Sequence, residues 1–400
     1  MTHDLKKKQI FNTRIGLLTG ASLLFGFLMQ SILSVGNFWL GFLSASLLIF
    51  LASVVLYLTW EAAGGEKMLA WMMVLAFVLR LALGVFLSWG LPRFGYEEPT
   101  QQAGFVFDDA YRRERTAWAL AQSDESLLEA FSDQYEADQY GGILALSAFV
   151  YRTISPDAFR PALISILAAA GMALSLPFLM AGVRRRFSLR TAIWAGWILA
   201  LYPEGLLLGS AQMREPFFIL FFSVLFWGAV QWLDGRRLKL AGSLIFLSTI
   251  NLFLLSYRIA LPIIGVMSLL VWLEVASSKS RSWLKITGWV VISLSLIAAV
   301  WLSRDWVDAV LHWDTLQTVS ASGRIQFQLE ALPQILHFPF ILVYGLFQPV
   351  LPAAIAAPAP WIWQGLGIVR AVGWYALLPL LVYALIRVWV VIEPQKKRWL

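Results

Sequence analysis

Apolar stretches of roughly 18–25 residues recur along almost the whole of this 400-residue chain, the length that a helix rising 1.5 Å per residue needs to cross a bilayer. They run over 15–34, 38–59, 67–90, 158–182, 189–209, 215–233, 239–256, 258–277, 283–302 and 369–392. Lipid satisfies no backbone hydrogen bonds, so runs of this length have to be helices. The expected fold is therefore all-α, a polytopic transmembrane helical bundle. Composition agrees: 59% of residues are hydrophobic and only 14% charged, too few to solvate the surface of a water-soluble domain.

Several function classes drop out at once. The chain has no cysteine, which removes disulfides, thiol nucleophiles and thiolate metal sites. Residues 1–14 carry Lys6, Lys7, Lys8 and Arg14 ahead of an apolar run, as a signal peptide does. That run is too long for a signal core, however, and no small-x-small cleavage site precedes a soluble chain. The net charge of +7 sits in short clusters between spans, where orientation rather than nucleic acid explains it. A phosphate-binding Gly-x-x-x-x-Gly-Lys loop, a serine nucleophile elbow and internal repeats are all missing from the sequence.

Orientation follows from the same clusters. A cytoplasmic N-terminus puts Lys6, Lys7 and Lys8, then Lys67, then Arg184, Arg185 and Arg186, on the inner side. It does the same for Arg236, Arg237 and Lys239, for Lys279, Arg281 and Lys285, and for Lys396, Lys397 and Arg398. This holds only if the apolar run 336–357 does not cross. Pro339, Pro349 and Pro352 interrupt it, so it is expected to be re-entrant or interfacial on the outer face. Gly141–Ile154 is too short to span and is expected to lie along that same surface. The multi-pass protein would thus sit in the cell membrane with both termini in the cytoplasm.

Two segments then face outward, 91–140 and 303–335. The first is strongly acidic and contains a predicted helix over Asp108–Gln122. Asp108 and Asp109 fall in its first turn, where negative charge meets the positive end of the helix dipole. One account of this pair is purely structural, helix capping plus the i,i+4 pairs Asp108 with Arg112 and Asp109 with Arg113.

The other account comes from the order of motifs. The span at 67–90 carries Arg80, and the acidic loop follows with Phe107-Asp108-Asp109-Ala110-Tyr111 and Asp138-Gln139-Tyr140-Gly141-Gly142. Further on come Arg184, Arg185 and Arg186, then Leu201-Tyr202-Pro203, then Gln212-Met213-Arg214-Glu215-Pro216. Over about 67–275 this order resembles the GT-C superfamily of membrane glycosyltransferases, notably the protein O-mannosyltransferases and the aminoarabinose transferases of lipid A. The resemblance implies transfer of a sugar from a polyprenyl-phosphate donor to an extracytoplasmic acceptor glycan, lipid or protein. It implies a core at 67–302 with its outer loop at 91–157, two added helices in 1–66, and a C-terminal part at 303–400.

It also implies roles. Asp108 or Asp109, with Asp108 favoured, would take the proton of an acceptor hydroxyl as it attacks the sugar C1. The second carboxylate would hold the acceptor or a divalent cation such as Mg or Mn, because adjacent acids suit hard metals. Tyr111, Arg112, Gln139 and Tyr140 would stand on the acceptor side. Arg258, at the turn Leu254-Leu255-Ser256-Tyr257-Arg258, would hold the lipid phosphate, unless it is a snorkelling interfacial arginine. Arg214 and Glu215 would shape the donor cavity or form an ion pair that shields both from lipid. Arg80, charged and inside a span, must face protein or a water-filled cavity, so it is either a structural partner or a donor contact. The three histidines show no metal-ligand spacing, although His312 with Asp314 could line an acceptor entrance. Most of the 20 tryptophans fall near span ends as interfacial belts, with sugar stacking left to Trp306 or Trp313. Two readings from other classes remain: a secondary transporter or lipid flippase, and a noncatalytic membrane subunit of an envelope glycan assembly system.

Overall fold

The computed structural model describes residues 2–132, 135, 137–277, 293, 332–347, 351–356 and 358–390. Among these residues every regular element is helical. Among the described residues eight helices are long and apolar enough to cross a membrane, nine if one bent pair counts as a single span, so the chain is a multi-pass membrane protein. Apart from residues 293 and 332–335, the expected span at 283–302 and the second outward segment lie outside the described residues, as do His312, Asp314, Trp306 and Trp313.

The chain divides into two compact units. The larger runs to Ile263 and includes Pro360–Ile362. It opens with α1 (Thr2–Leu33), α2 (Phe38–Ala62) and α3 (Lys67–Phe94), followed by the short α4 (Pro99–Gln102), α5 (Asp108–Gln122) and α6 (Ala137–Ile154). Then come α7 (Ala162–Arg186), α8 (Leu189–Leu201), α9 (Pro203–Ser210), α10 (Glu215–Leu233), α11 (Leu238–Leu255) and the start of α12 (Tyr257–Ser277). The smaller unit holds the rest of α12, α13 (Gln334–Phe347), α14 (Leu351–Ala356) and most of α15 (Trp361–Val390).

In the larger unit α7 is the central helix, packed against α2, α3, α8, α9 and α10. Its sequence explains this position. Ala168, Ala169, Ala170, Gly171 and Ala173 keep its middle narrow, and small residues are what let helices approach closely in lipid, where hydrophobicity gives no drive to associate. α1 and α2 form a hairpin that docks onto α3 and α7. Asn37 caps α2 by accepting from the Leu40 backbone N–H at 3.0 Å.

The run 189–209 is broken rather than straight. α8 and α9 meet at Tyr202-Pro203 with a bend of 52°, as proline, which lacks an N–H and clashes with the preceding turn, dictates. Arg80 serves this break. Its side chain is fully buried at mid-α3 and donates to the carbonyls of Ala76, Leu199, Ala200 and Gly205 at 2.9–3.2 Å. Gly84 admits the backbone of Ser210, since a Cβ there would meet the Ser210 carbonyl oxygen at 2.5 Å. The break is thus held by a guanidinium that satisfies carbonyls the helix has freed.

At one end of the unit the basic cluster of α7 meets acids: Arg184 pairs with Glu66 at 3.0 Å and Arg185 with Asp234 at 2.7 Å. α5 and α6 lie at the other end. In the smaller unit α13 contains Pro339 and spans 14 residues, a rise of about 21 Å, short of a hydrocarbon core of about 30 Å. Its C-terminus accepts hydrogen bonds from α15, Trp374 Nε1 to the Leu346 carbonyl at 2.7 Å and the Tyr375 hydroxyl to the Phe347 carbonyl at 3.1 Å.

Candidate functional site

The α5 end of the larger unit gathers most of the polar chemistry. The chain leaves α3, forms α4, and reverses at Gly104, whose φ of +81° and contact with the Ser88 carbonyl both demand glycine. α5 then begins at Asp108. No side chain caps it, so Asp108 and Asp109 supply the negative charge of the first turn. The Asp108 carboxylate accepts from the Thr100 hydroxyl at 2.8 Å and pairs with Arg112 Nε at 3.0 Å. Both members of that pair are about two-thirds exposed, at 65% and 72%. Asp109 is half-buried.

An apolar cluster fixes the start of α5 to the loop before α10. Phe105, Ala110, Ala211 and Met213 form its buried part, with Phe107, Tyr111 and Leu208 packed around them. The next residues of that loop are Arg214 and Glu215, both half-buried, with Arg214 Nε 3.8 Å from Glu215 Oε1. Folding therefore carries the Asp108-Asp109 turn and the Arg214-Glu215 pair into one neighbourhood from about a hundred residues apart in sequence.

One turn along α5 lies a buried network that motif reasoning passed over. Arg113 and Glu114 are both buried, with Arg113 Nη2 3.1 Å from Glu114 Oε1. Glu114 also accepts from the Ser147 hydroxyl at 3.0 Å and the Tyr151 hydroxyl at 2.6 Å, both on α6. Arg113 further donates to the Gln212 carbonyl, and the Gln212 amide donates to Ser165 of α7 at 3.0 Å. Burial pushes the Glu114 carboxyl above its ordinary value, against the opposing pull of Arg113 and the hydroxyl donors. The Tyr151 phenol is raised well above its usual value by burial and by the neighbouring carboxylate. This network bolts α5 to α6 and to the spans beneath.

A second juxtaposition involves α6 and the turn between α11 and α12. The backbone of Gly142 lies against Leu254 and Leu255, and a Cβ there would meet the Leu254 carbonyl oxygen at 2.5 Å. Gln139 and Tyr140 belong to the first turn of α6, and Arg258, half-buried, follows the same α11–α12 turn. The Gly141-Gly142 step thus brings the 139–142 motif to the Arg258 turn.

A cavity of about 320 Å³ opens where α1, α2, α3 and α7 end near α5. Its apolar lining includes Met29, Leu33, Ala45, Pro92 and Leu163. Its polar lining comprises Gln30, Arg93, Gln102, Tyr111, Arg115 and Arg160. Arg160 is buried and committed: it forms a two-point pair with Asp157, 2.5 Å at the shortest, and donates to the carbonyls of Val35 and Asn37. That pairing holds the Asp157 carboxyl down at about 2.

The residues picked out from sequence thus fall into separate groups. The start of α5, with Asp108, Asp109, Tyr111 and Arg112, packs on the loop that leads to Arg214 and Glu215, whereas Gly142, just after Gln139 and Tyr140 in sequence, lies against the end of α11 that precedes Arg258. Arg80 stands apart in the α8–α9 break. Arg93 and Arg115, two of the few basic residues of the acidic 91–140 segment, both line the cavity. The signal for Arg115 was helical spacing, four residues after Tyr111 and so on the same face of α5. Among the described residues no group of three or more His, Asp or Glu side chains is arranged to hold a metal. No protein family, curated protein or solved structure matches the chain.

Proposed function

We propose that this protein is a membrane glycosyltransferase of the GT-C type, moving one sugar from a polyprenyl-phosphate-linked donor to an extracytoplasmic acceptor. The observation that carries this reading is the Asp108 turn, held by Thr100 and Arg112 and packed through Ala110 and Tyr111 onto the loop that ends in Arg214 and Glu215. A solvent-accessible carboxylate fixed by two partners is what an acceptor hydroxyl needs. Asp108 takes the hydroxyl proton, the freed oxygen bonds to the sugar C1, and the C1–O bond to phosphate breaks with its electron pair leaving on the lipid phosphate. The displacement inverts the anomeric centre. Arg214 supplies positive charge for the leaving group, with Asp109 and Tyr111 on the acceptor side. The α5 end would face outward, since the α7 arginines gather at the opposite end, as cytoplasmic basic clusters do.

The test uses the purified full chain in nanodiscs with a panel of polyprenyl-phosphate sugars, following release of the carrier. Asp108→Asn should lower turnover by at least about a hundredfold, as loss of a general base does, and Asp109→Asn by less. Equal turnover by wild type and both variants, or no release from any donor, overturns the reading. The broken span α8–α9 favours an alternative, a secondary transporter or flippase, since such proteins build substrate sites on discontinuous helices. Yet at this break the Arg80 donors are taken up by the freed carbonyls themselves, which leaves the polar chemistry at the α5 end.

A further inference from the structure

We infer that the cavity between the N-terminal hairpin and the rest of the larger unit is a binding site for a lipid-borne phosphate, with Arg93 and Arg115 as its anion-holding groups. The arginines of this end differ in their partners. Arg112, Arg113 and Arg160 each have a carboxylate within ion-pair distance. Arg93 and Arg115 are exposed, line the same cavity, and have no carboxylate partner among the described residues, although the surrounding loop is rich in acids. Arg93 is held at the rim by donating to the Trp89 carbonyl at 2.6 Å, with its guanidinium 4.8 Å from the Trp89 ring centre. Its remaining hydrogens are available to an anion.

Apart from Gln30 and the carboxylate-paired Arg160, much of the remaining wall is apolar, and Ile32 of α1, 44% exposed, continues it onto the outer face of that helix. Two guanidinium groups on a largely apolar cleft that reaches the outer face of α1 fit a phosphate carried on a hydrocarbon tail, since the planar fork holds phosphate oxygens without losing its charge. A small soluble anion would gain nothing from the walls. The hairpin side is built rather than incidental: Gln30 donates to the Val35 carbonyl at 3.0 Å, and Gly41 is kept bare by Gln30 and Arg160. The site does not depend on the transfer reaction, and nothing in its test involves turnover.

The experiment measures binding to the full chain in an uncharged detergent by ligand-dependent thermal shift. The probes are dioleoylphosphatidylglycerol, farnesyl phosphate, dioleoylglycerol and inorganic phosphate. Both phosphate-bearing lipids should stabilise the protein, while dioleoylglycerol and inorganic phosphate should not. Arg93→Gln and Arg115→Gln should each weaken binding about tenfold, as loss of a charge-assisted hydrogen bond does, and about a hundredfold together. Arg190→Gln, exposed at the far end, should leave binding unchanged. Because Arg93 and Arg115 are exposed, their variants should unfold at the wild-type temperature without lipid. Ala45→Leu, which adds bulk to the apolar lining, should weaken both lipids with the arginines intact. Tighter binding of farnesyl phosphate identifies an isoprenoid ligand, and equal or tighter binding of phosphatidylglycerol a bilayer phospholipid. Equal stabilisation by dioleoylglycerol or by inorganic phosphate, or unchanged binding in the double variant, overturns the inference.

Discussion

Arg112 and Arg113 are neighbours in α5, and each lies within 3.1 Å of a carboxylate, yet the two pairs do opposite work. The Asp108–Arg112 pair stands in solvent, where water competes for both charges and the pair contributes at most about 1 kcal/mol. The Arg113–Glu114 pair is buried, and its geometry is completed by Ser147, Tyr151 and the Gln212 carbonyl. A buried pair of this kind adds little over an apolar replacement, but losing one member leaves the other charge stranded. The exposed pair is therefore free to serve chemistry, whereas the buried one is committed to holding α5 in place.

The largest effect should come from breaking the buried side. Glu114→Ala leaves Arg113 without its carboxylate and should lower stability by about 3–5 kcal/mol, read as the loss of a cooperative unfolding transition or a large fall in Tm. The pH dependence sharpens the same point. Burial raises the Glu114 carboxyl in the folded protein, so the folded state binds this proton more tightly than the unfolded chain does. Its contribution to stability is fully present below the unfolded value near 4.5 and is lost as pH rises through the folded value. Glu114→Gln should flatten that decline in a series of melts from pH 4 upward. An unchanged slope would mean that another group carries it.

Asp157 and Arg160 lie between the two extremes, the arginine buried and the acid one-quarter exposed. Asp157→Asn should cost about 1.5–3 kcal/mol, because a charge-assisted two-point contact is lost and the Asn37 turn loses its carboxylate acceptor. Here the sign is reversed. The Asp157 carboxyl sits at about 2 in the fold, so its contribution is present above the ordinary value of 3.8 and disappears as pH falls toward 2. Melts of wild type and Asp157→Asn should therefore converge in acid and diverge toward neutrality, and parallel curves would argue against the pairing.

How much of this could be read from the chain depends on how local each feature is. The helix at Asp108–Gln122 and the span at Glu215–Leu233 have the predicted bounds, because caps, prolines and apolar runs act over a few residues. The break at Tyr202-Pro203 was written in its proline, but the service of Arg80 to it was not, since that joins residues about 120 apart. Within α5 the period did hold a clue. Arg113 and Glu114 share a face with Ala110, Ala117 and Ala121, small residues that mark the packed side, whereas Asp108 and Arg112 lie on the opposite, solvated face. The cavity had no local signature, because its walls come from six helices and from the loops at Val35, Ala103 and Phe159–Pro161.

The smallest structural effect should accompany the largest functional one. Asp108→Asn removes one member of an exposed pair and keeps an oxygen to accept from Thr100, so the melting temperature should move by no more than a degree or two, corresponding to less than about 1 kcal/mol. If Asp108 is the base, carrier release should nonetheless fall by about a hundredfold or more, because an amide cannot take the acceptor proton. The split between the two readouts is what gives the comparison its force. A variant that loses activity with its stability would make Asp108 a second Glu114, a structural group at the start of α5. Activity lost at constant stability is expected only of a side chain that the fold leaves open to solvent because something must reach it.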